Sequence, residues 1–190
     1  MTEVYPPIVI VGPARSGTSV TAQLIAAHGV WTGNCRQATA KNPHGFYENR
    51  ELLAIRDNKP VDLEVIRETL EADGYRSGPW LVKHGMKGWP TWLRLGPRFV
   101  CVRREIGPTV SSQMRWQPAT KSKATRREMV KKQHRQLDEI RDKYAGVDFW
   151  PDDVMRGNDT PLRRLVEHLG LEYNPKAVGR CVDLTIWGRQ

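Results

Sequence analysis

Short uninterrupted apolar runs and helical stripes take turns along this chain. Residues 7–11 (PIVIV) are uniformly apolar and mostly β-branched, too short for a helix, and read as a central parallel strand covered on both faces. The run ends at Gly12. From 18 to 28 the apolar residues Val20, Leu24, Ile25 and Ala27 recur at helical spacing, with Gly29 where a C-cap glycine belongs. The N-terminus therefore reads strand, glycine loop, helix. Residues 31–49, rich in Gly, Asn, Pro and aromatics, read as an ordered loop, and short helices are expected at 50–58 and 64–72.

Two further strand candidates, 79–83 (PWLVK) and 98–102 (RFVCV), flank a segment holding Trp89, Pro90, Trp92 and Leu93. The second again passes through polar residues into a helix, with Pro108 suited to its first turn and Val110 and Met114 on one face. A long helix is expected over 124–144, where Val130, Leu137, Ile140 and Tyr144 form the apolar stripe. Its other faces carry Arg126, Arg127, Lys131, Lys132, Arg135 and Arg141, as a solvated surface would. Residues 147–150 make a last strand, 161–169 a helix closed by Gly170, and the tail to Gln190 reads as irregular. Strands alternating with helices imply a mainly parallel sheet with helices on both faces. At 190 residues the chain can bury one sizeable core but not comfortably two, so a single α/β domain, 1–190, is expected.

Composition narrows the class. With 39% hydrophobic and 27% charged residues the chain falls in the globular range, and no apolar run approaches the roughly 20 residues of a membrane-spanning helix. The first residues show neither the basic n-region nor the apolar h-region of a secretory signal, so a cytoplasmic location is expected. Three widely spaced cysteines, Cys35, Cys101 and Cys181, fit neither a disulfide framework nor a thiolate zinc site, and no other metal-ligand cluster stands out. A net charge of +9 points to an anionic partner. The bases are scattered, without a recognition helix, zinc finger or RNA-stacking signature, which favours a phosphorylated nucleotide over nucleic acid.

Residues 12–19 (GPARSGTS) carry two glycines at phosphate-loop spacing, directly between a strand and a helix. Converging backbone amides and the positive end of the helix favour an anion there. Thr18 stands where an ATP or GTP hydrolase would carry its lysine; the charge is supplied instead by Arg15, whose planar guanidinium can grip two oxygens. A glycine-rich structural turn is the plain alternative.

The segment GPARSGTS resembles the 5′-phosphosulfate loop of PAPS-dependent sulfotransferases, which place Arg or Lys at the position of Arg15 and hydroxyls at those of Ser16, Thr18 and Ser19. The run 99–112 (FVCVRREIGPTVSS) is similar to the 3′-phosphate signature of that family: a strand ending in arginine, Arg103, and a serine eight residues later, Ser111. Residues 42–52 (NPHGFYENREL) resemble a segment of bacterial members, and 162–175 (LRRLVEHLGLEYNP) resemble their closing helix and turn. The resemblance implies a P-loop-like sulfotransferase fold. It also implies that Gly12, Pro13, Ala14, Arg15, Ser16, Gly17, Thr18 and Ser19 hold the phosphosulfate while Arg103 and Ser111 hold the 3′-phosphate. Independently, an arginine at a strand's C-terminal edge and a hydroxyl on the next helix stand at the mouth of a parallel sheet, where ligands bind. Surface ion pairing and a plain helix-surface hydroxyl are their other reading.

The activity so implied moves a sulfuryl group from PAPS (3′-phosphoadenosine-5′-phosphosulfate) to a hydroxyl or amine of an unidentified small acceptor, without a metal, leaving 3′,5′-ADP. Arg15 would stabilise the departing phosphate, and Lys83 resembles the family lysine that approaches the sulfate. For the base, His84 is preferred because its ordinary pKa of about 6.5 suits the task. In cytosolic members the histidine stands two residues after the lysine, whereas His84 stands one after Lys83. Glu48 is the rival, since other branches use a glutamate. Trp31, Trp89, Trp92 and His44 are placed to wall an acceptor pocket or stack on adenine, with core packing as their alternative role, and Arg189 can add charge at the nucleotide. The competing functions are a P-loop nucleotide kinase or NTPase, and a catalytically silent basic module binding nucleotide or nucleic acid.

Overall fold

Four parallel strands in the order β2-β1-β3-β4 form the sheet: β1 (Ile8–Val11), β2 (Leu81–Lys83), β3 (Arg98–Val102) and β4 (Val147–Phe149). The computed structural model describes residues 4–39, 42, 45–55, 62–118 and 121–181; His44 and Arg189 lie outside the described residues. Helices α1 (Thr18–Ala26), α2 (Arg50–Ile55), α3 (Leu63–Ala72), α4 (Ile106–Trp116), α5 (Lys123–Tyr144), α6 (Pro151–Met155), α7 (Thr160–His168) and α8 (Pro175–Cys181) surround the sheet. The architecture is the expected α/β one.

The unbroken apolar run of β1 is explained by two cores, one on each face of the sheet. Ile8 and Ile10 join Leu81, Val100 and Val102 under α1 (Leu24, Ile25) and α7 (Leu162, Leu165). Val9 and Val11 join Val82, Phe99 and Cys101 against Trp80, Trp92, α3 (Ile66, Leu70) and α5 (Leu137, Ile140). Successive strand residues thus serve opposite cores, with the usual two-residue period. That alternation decides the direction of every side chain leaving the strand ends.

Strand β1 leads through α1 to β2 on one side, whereas β3 leads through α4 and α5 to β4 on the other. The C-terminal ends of β1 and β3 therefore flank the topological switch point, where open α/β sheets bind their ligands. Residues 12–17 follow β1 there, and Arg103 to Glu105 follow β3.

Several elements differ from the sequence expectation. The segment holding Trp89 and Trp92 is a 3₁₀ turn (Trp89–Leu95) between two left-handed glycines, Gly88 and Gly96, and it inserts Trp92 fully into the core. Trp89 packs on Phe99 and Tyr144, and Trp31 edges onto Tyr75, so all three tryptophans take the core-packing alternative. Helix α6 follows β4 immediately with Pro151 in its first turn, and α8 begins at Pro175 within the stretch read as irregular. Both are short, so neither shows enough periodicity to stand out from sequence. The expected helix 50–58 is described as α2 to Ile55; residues 56–58 lie outside the described residues. The three cysteines are free, with Cys101 and Cys181 buried. No helix among the described residues is long and apolar enough to cross a membrane.

Candidate active site

The loop after β1 is shaped by close approach. A Cβ on Gly12 would lie 2.7 Å from the carbonyl oxygen of Val102 and 2.8 Å from Ser16 Oγ, so only glycine lets the loop pass this near the end of β3. The turn closes through Ser16 N–H donating to the Pro13 carbonyl at 3.1 Å, and it places both Arg15 (φ 70°) and Gly17 (φ 99°) in the left-handed region. For a residue with a side chain this conformation costs about 1–2 kcal/mol, so surrounding contacts must hold Arg15 there. They come from α4: Gln113 Nε2 donates to the Ala14 carbonyl at 2.8 Å, and Arg15 Nε donates to Ser112 Oγ at 3.0 Å.

Helix α1 starts directly after this turn. Gly17, its N-cap, gives no side-chain cap, and its first turn has no acidic residue, which leaves the positive end of the helix uncompensated by side chains. Ser16 is fully buried, yet its hydroxyl has no partner among the described residues. An orphaned hydroxyl in a left-handed turn at a helix N-terminus is the kind of feature an anion-receiving loop presents.

Lys83 ends β2 with Leu81's parity, on the α1 side. Its buried ammonium donates to Ser19 Oγ at 3.1 Å and to Glu48 Oε1 at 3.0 Å. Burial lowers the Lys83 pKa, against the opposing pull of the Glu48 carboxylate. The side chain of Glu48 stays 30% exposed, and its other oxygen lies 3.9 Å from Arg36. Its loop is ordered by Asn49, whose amide donates to the Thr32 carbonyl at 3.2 Å and to Asp73 at 2.6 Å while its oxygen accepts from Leu52 N–H at 3.1 Å, capping α2. Lys83, Ser19 and Glu48 thus form one cluster beside the glycine loop.

His84 takes the opposite direction. It is buried against the second core, and its Nε2 accepts a hydrogen bond from the Trp92 indole N–H at 2.5 Å. Because an indole nitrogen only donates, that imidazole nitrogen carries no proton and its lone pair is engaged. The structure therefore brings Glu48, not His84, together with Lys83.

The neighbouring arginines divide in the same way. Arg103 follows the parity of Cys101 toward α5: its Nε donates to Asp148 at 2.6 Å, one terminal nitrogen to Asp138 at 2.8 Å, and the other to the His134 carbonyl at 3.4 Å. Ser111 is exposed on α4. The pair Arg103 and Ser111 is thus not assembled at the loop. Arg104 and Ser112, one residue further on with the same spacing of eight, take that place. Arg104 is buried with its Nε 3.4 Å from Asp152, and Ser112 is buried and bonded to Arg15. The Arg15 guanidinium also lies 4.7 Å from the Trp116 ring centre. Its pKa is lowered by burial and then by the positive fields of Arg104 and Arg115. The sequence contained the signal: the doublets Arg103–Arg104 and Ser111–Ser112 both satisfy the spacing, and strand parity separates them.

No protein-family model matches this sequence, and no curated protein sequence matches it. Among solved structures, the chain is similar to the sulfotransferase domain from the curacin biosynthetic pathway, with a TM-score of 0.59 at 13% identity over 92% of this chain and 77% of that one. It is also similar to mouse sulfotransferase SULT7A1 complexed with PAP, with a TM-score of 0.57 at 12% identity. That match covers 96% of this chain and 64% of the mouse protein, so the chain spans just under two thirds of its length. The parallel sheet with its glycine loop at the switch point agrees with the resemblance carried by residues 12–19: the chain has the sulfotransferase fold.

Proposed function

We propose that this protein is a PAPS-dependent sulfotransferase acting on a hydroxyl or amine of a small acceptor. The observation that carries the reading is the cationic mouth at the switch point: Arg15 and Arg104 beside the glycine loop, with Lys83 bridging its Ser19 to Glu48. PAPS supplies the sulfuryl group and the phosphate that leaves. The remaining amides of the glycine loop (Pro13 has no N–H, and the Ser16 N–H donates to the Pro13 carbonyl) and the Arg15 guanidinium bind the 5′ end and stabilise charge growing on the leaving oxygen, the kind of preorganised contact worth about 3 kcal/mol per donor. Arg104 with Ser112 holds the 3′-phosphate, in place of the Arg103 and Ser111 pair.

Lys83, already bonded to Ser19, directs its ammonium at the transferred group. Glu48 is the base: a partly exposed carboxylate, oriented by Lys83, accepts the acceptor's proton as the nucleophile attacks in line. The aromatic loop around Glu48 positions the acceptor. A kinase or NTPase is disfavoured because the residue after Gly17 is Thr18, with no lysine for the terminal phosphates.

Calorimetry tests this reading. The wild-type protein is expected to bind 3′,5′-ADP more tightly than magnesium-ATP, and Arg15→Ala to weaken the nucleotide by about tenfold or more, the worth of a charge-assisted hydrogen bond. Absence of 3′,5′-ADP binding, or ATP turnover with magnesium, overturns it.

A further inference from the structure

Three guanidinia at the ends of β1 and β3 are held by different chemistry. Arg103 donates to two carboxylates, Asp148 and Asp138, and Arg104 lies 3.4 Å from a third, Asp152. Among the described residues, Arg15 is held only by neutral groups: the Ser112 hydroxyl at 3.0 Å and the face of Trp116 at 4.7 Å. Ser112 and Trp116 are four residues apart on α4 and so share one helix face, while Gln113 between them grips the Ala14 carbonyl. A hydroxyl dipole and an aromatic face orient a cation without cancelling its charge. A carboxylate in the same place would orient it and cancel it.

We propose that Trp116 is a positioning residue: its indole face, working with Ser112, fixes the Arg15 guanidinium at the loop while leaving its charge available to an incoming phosphosulfate. This rests on the nucleotide-binding reading above. Two features make such a platform necessary. Arg15 sits at φ 70°, a backbone conformation that lapses unless neighbours enforce it. Arg104 and Arg115 also repel its charge, so an unsupported guanidinium would relax toward solvent. An anion entering between them relieves that repulsion, and the relief adds to its affinity.

The test uses the full chain and three substitutions, Trp116→Phe, Trp116→Leu and Trp116→Glu. Each is titrated with 3′,5′-ADP, and the Arg15 Nε–Hε resonance is recorded without nucleotide. A phenyl ring keeps an aromatic face, so Trp116→Phe should bind within about threefold of wild type, whereas Trp116→Leu should bind about tenfold more weakly. Trp116→Glu neutralises Arg15 and should bind more weakly still, with a melting temperature no lower than that of Trp116→Leu. The resonance, shifted by the indole ring current, should move in the leucine variant. If wild type binds and the leucine and glutamate variants bind equally tightly, the platform is refuted while the nucleotide reading stands. If wild type does not bind, the nucleotide reading fails, and the platform as an anion-site device fails with it; an Arg15 resonance unmoved by Trp116→Leu refutes the contact itself in either case.

Discussion

Arg103 and Arg104 are adjacent in the chain and turn to opposite faces of the sheet: Arg103 binds Asp148 and Asp138 beside α5, while Arg104 lies next to Asp152 and its charge acts on Arg15. The same parity separates Lys83, bonded to Ser19 and Glu48, from His84, bonded to Trp92. One alternation, set by which strand residues face which core, thus delivers Lys83 and Arg104 to the glycine loop and withholds His84 and Arg103 from it.

With Glu48 proposed as the base, Glu48→Gln should lower the rate of sulfuryl transfer by at least about a hundredfold. Affinity for 3′,5′-ADP should change by less than about threefold, since Lys83 keeps Ser19 as a partner. Turnover and calorimetry on the same preparation separate the two effects. Equal losses in both would show that Glu48 acts by shaping the nucleotide site.

His84 is expected to matter for stability. His84→Leu leaves the buried Trp92 N–H without its acceptor and should cost about 1–3 kcal/mol in urea unfolding. Transfer activity per folded molecule should remain within a few-fold of wild type. An activity loss as deep as that of Glu48→Gln at unchanged stability would restore His84 as the base.

Gly12→Ala forces a methyl to 2.7 Å from the Val102 carbonyl and should destabilise the fold by about 1–3 kcal/mol through overpacking. Because the shift must be taken up by the loop, 3′,5′-ADP binding should fall in the fraction that remains folded. A variant as stable as wild type, binding equally well, would mean that the loop does not need this approach.

Burial pushes the Cys101 thiol up to about 12. A folded-state pKa above the ordinary value near 9 means the native protein keeps a proton that the unfolded chain gives up. The contribution is complete below that ordinary value and is lost as pH rises from about 9 toward about 12. Wild type should therefore lose stability more steeply above pH 9 than Cys101→Ala, by up to about one proton per molecule in slope. Identical slopes contradict the shift.

Much of the fold was legible because β1, α1, β3 and α5 carry strong period signals: uniform apolar runs for strands covered on both faces and a stripe through Val130, Leu137 and Ile140 for the long helix. Short α6 and α8 and the 3₁₀ turn carry too few residues for any period to emerge. Around the candidate site, spacing marks the glycine loop with Gly12 and Arg15, whereas the directions taken by Arg103 and Arg104, and by Lys83 and His84, are not legible in spacing. Spacing fits both arginines; only knowing which core claims Cys101 and which claims Val102 separates them. A histidine's ordinary pKa suits a base, and spacing does not announce that Trp92, eight residues on in a short 3₁₀ turn, engages His84.

Arg104, rather than Arg103, is the arginine proposed to complete the anion site begun by Arg15. Parallel calorimetric titrations of Arg104→Gln and Arg103→Gln with 3′,5′-ADP and with 5′-AMP separate the two arginines. Arg104→Gln should weaken 3′,5′-ADP by about tenfold or more and abolish its advantage over 5′-AMP, the loss of one charge-assisted phosphate contact. Arg103→Gln should lower the melting temperature yet keep that advantage within about threefold. Loss of the advantage in Arg103→Gln with its retention in Arg104→Gln would return the 3′-phosphate to Arg103.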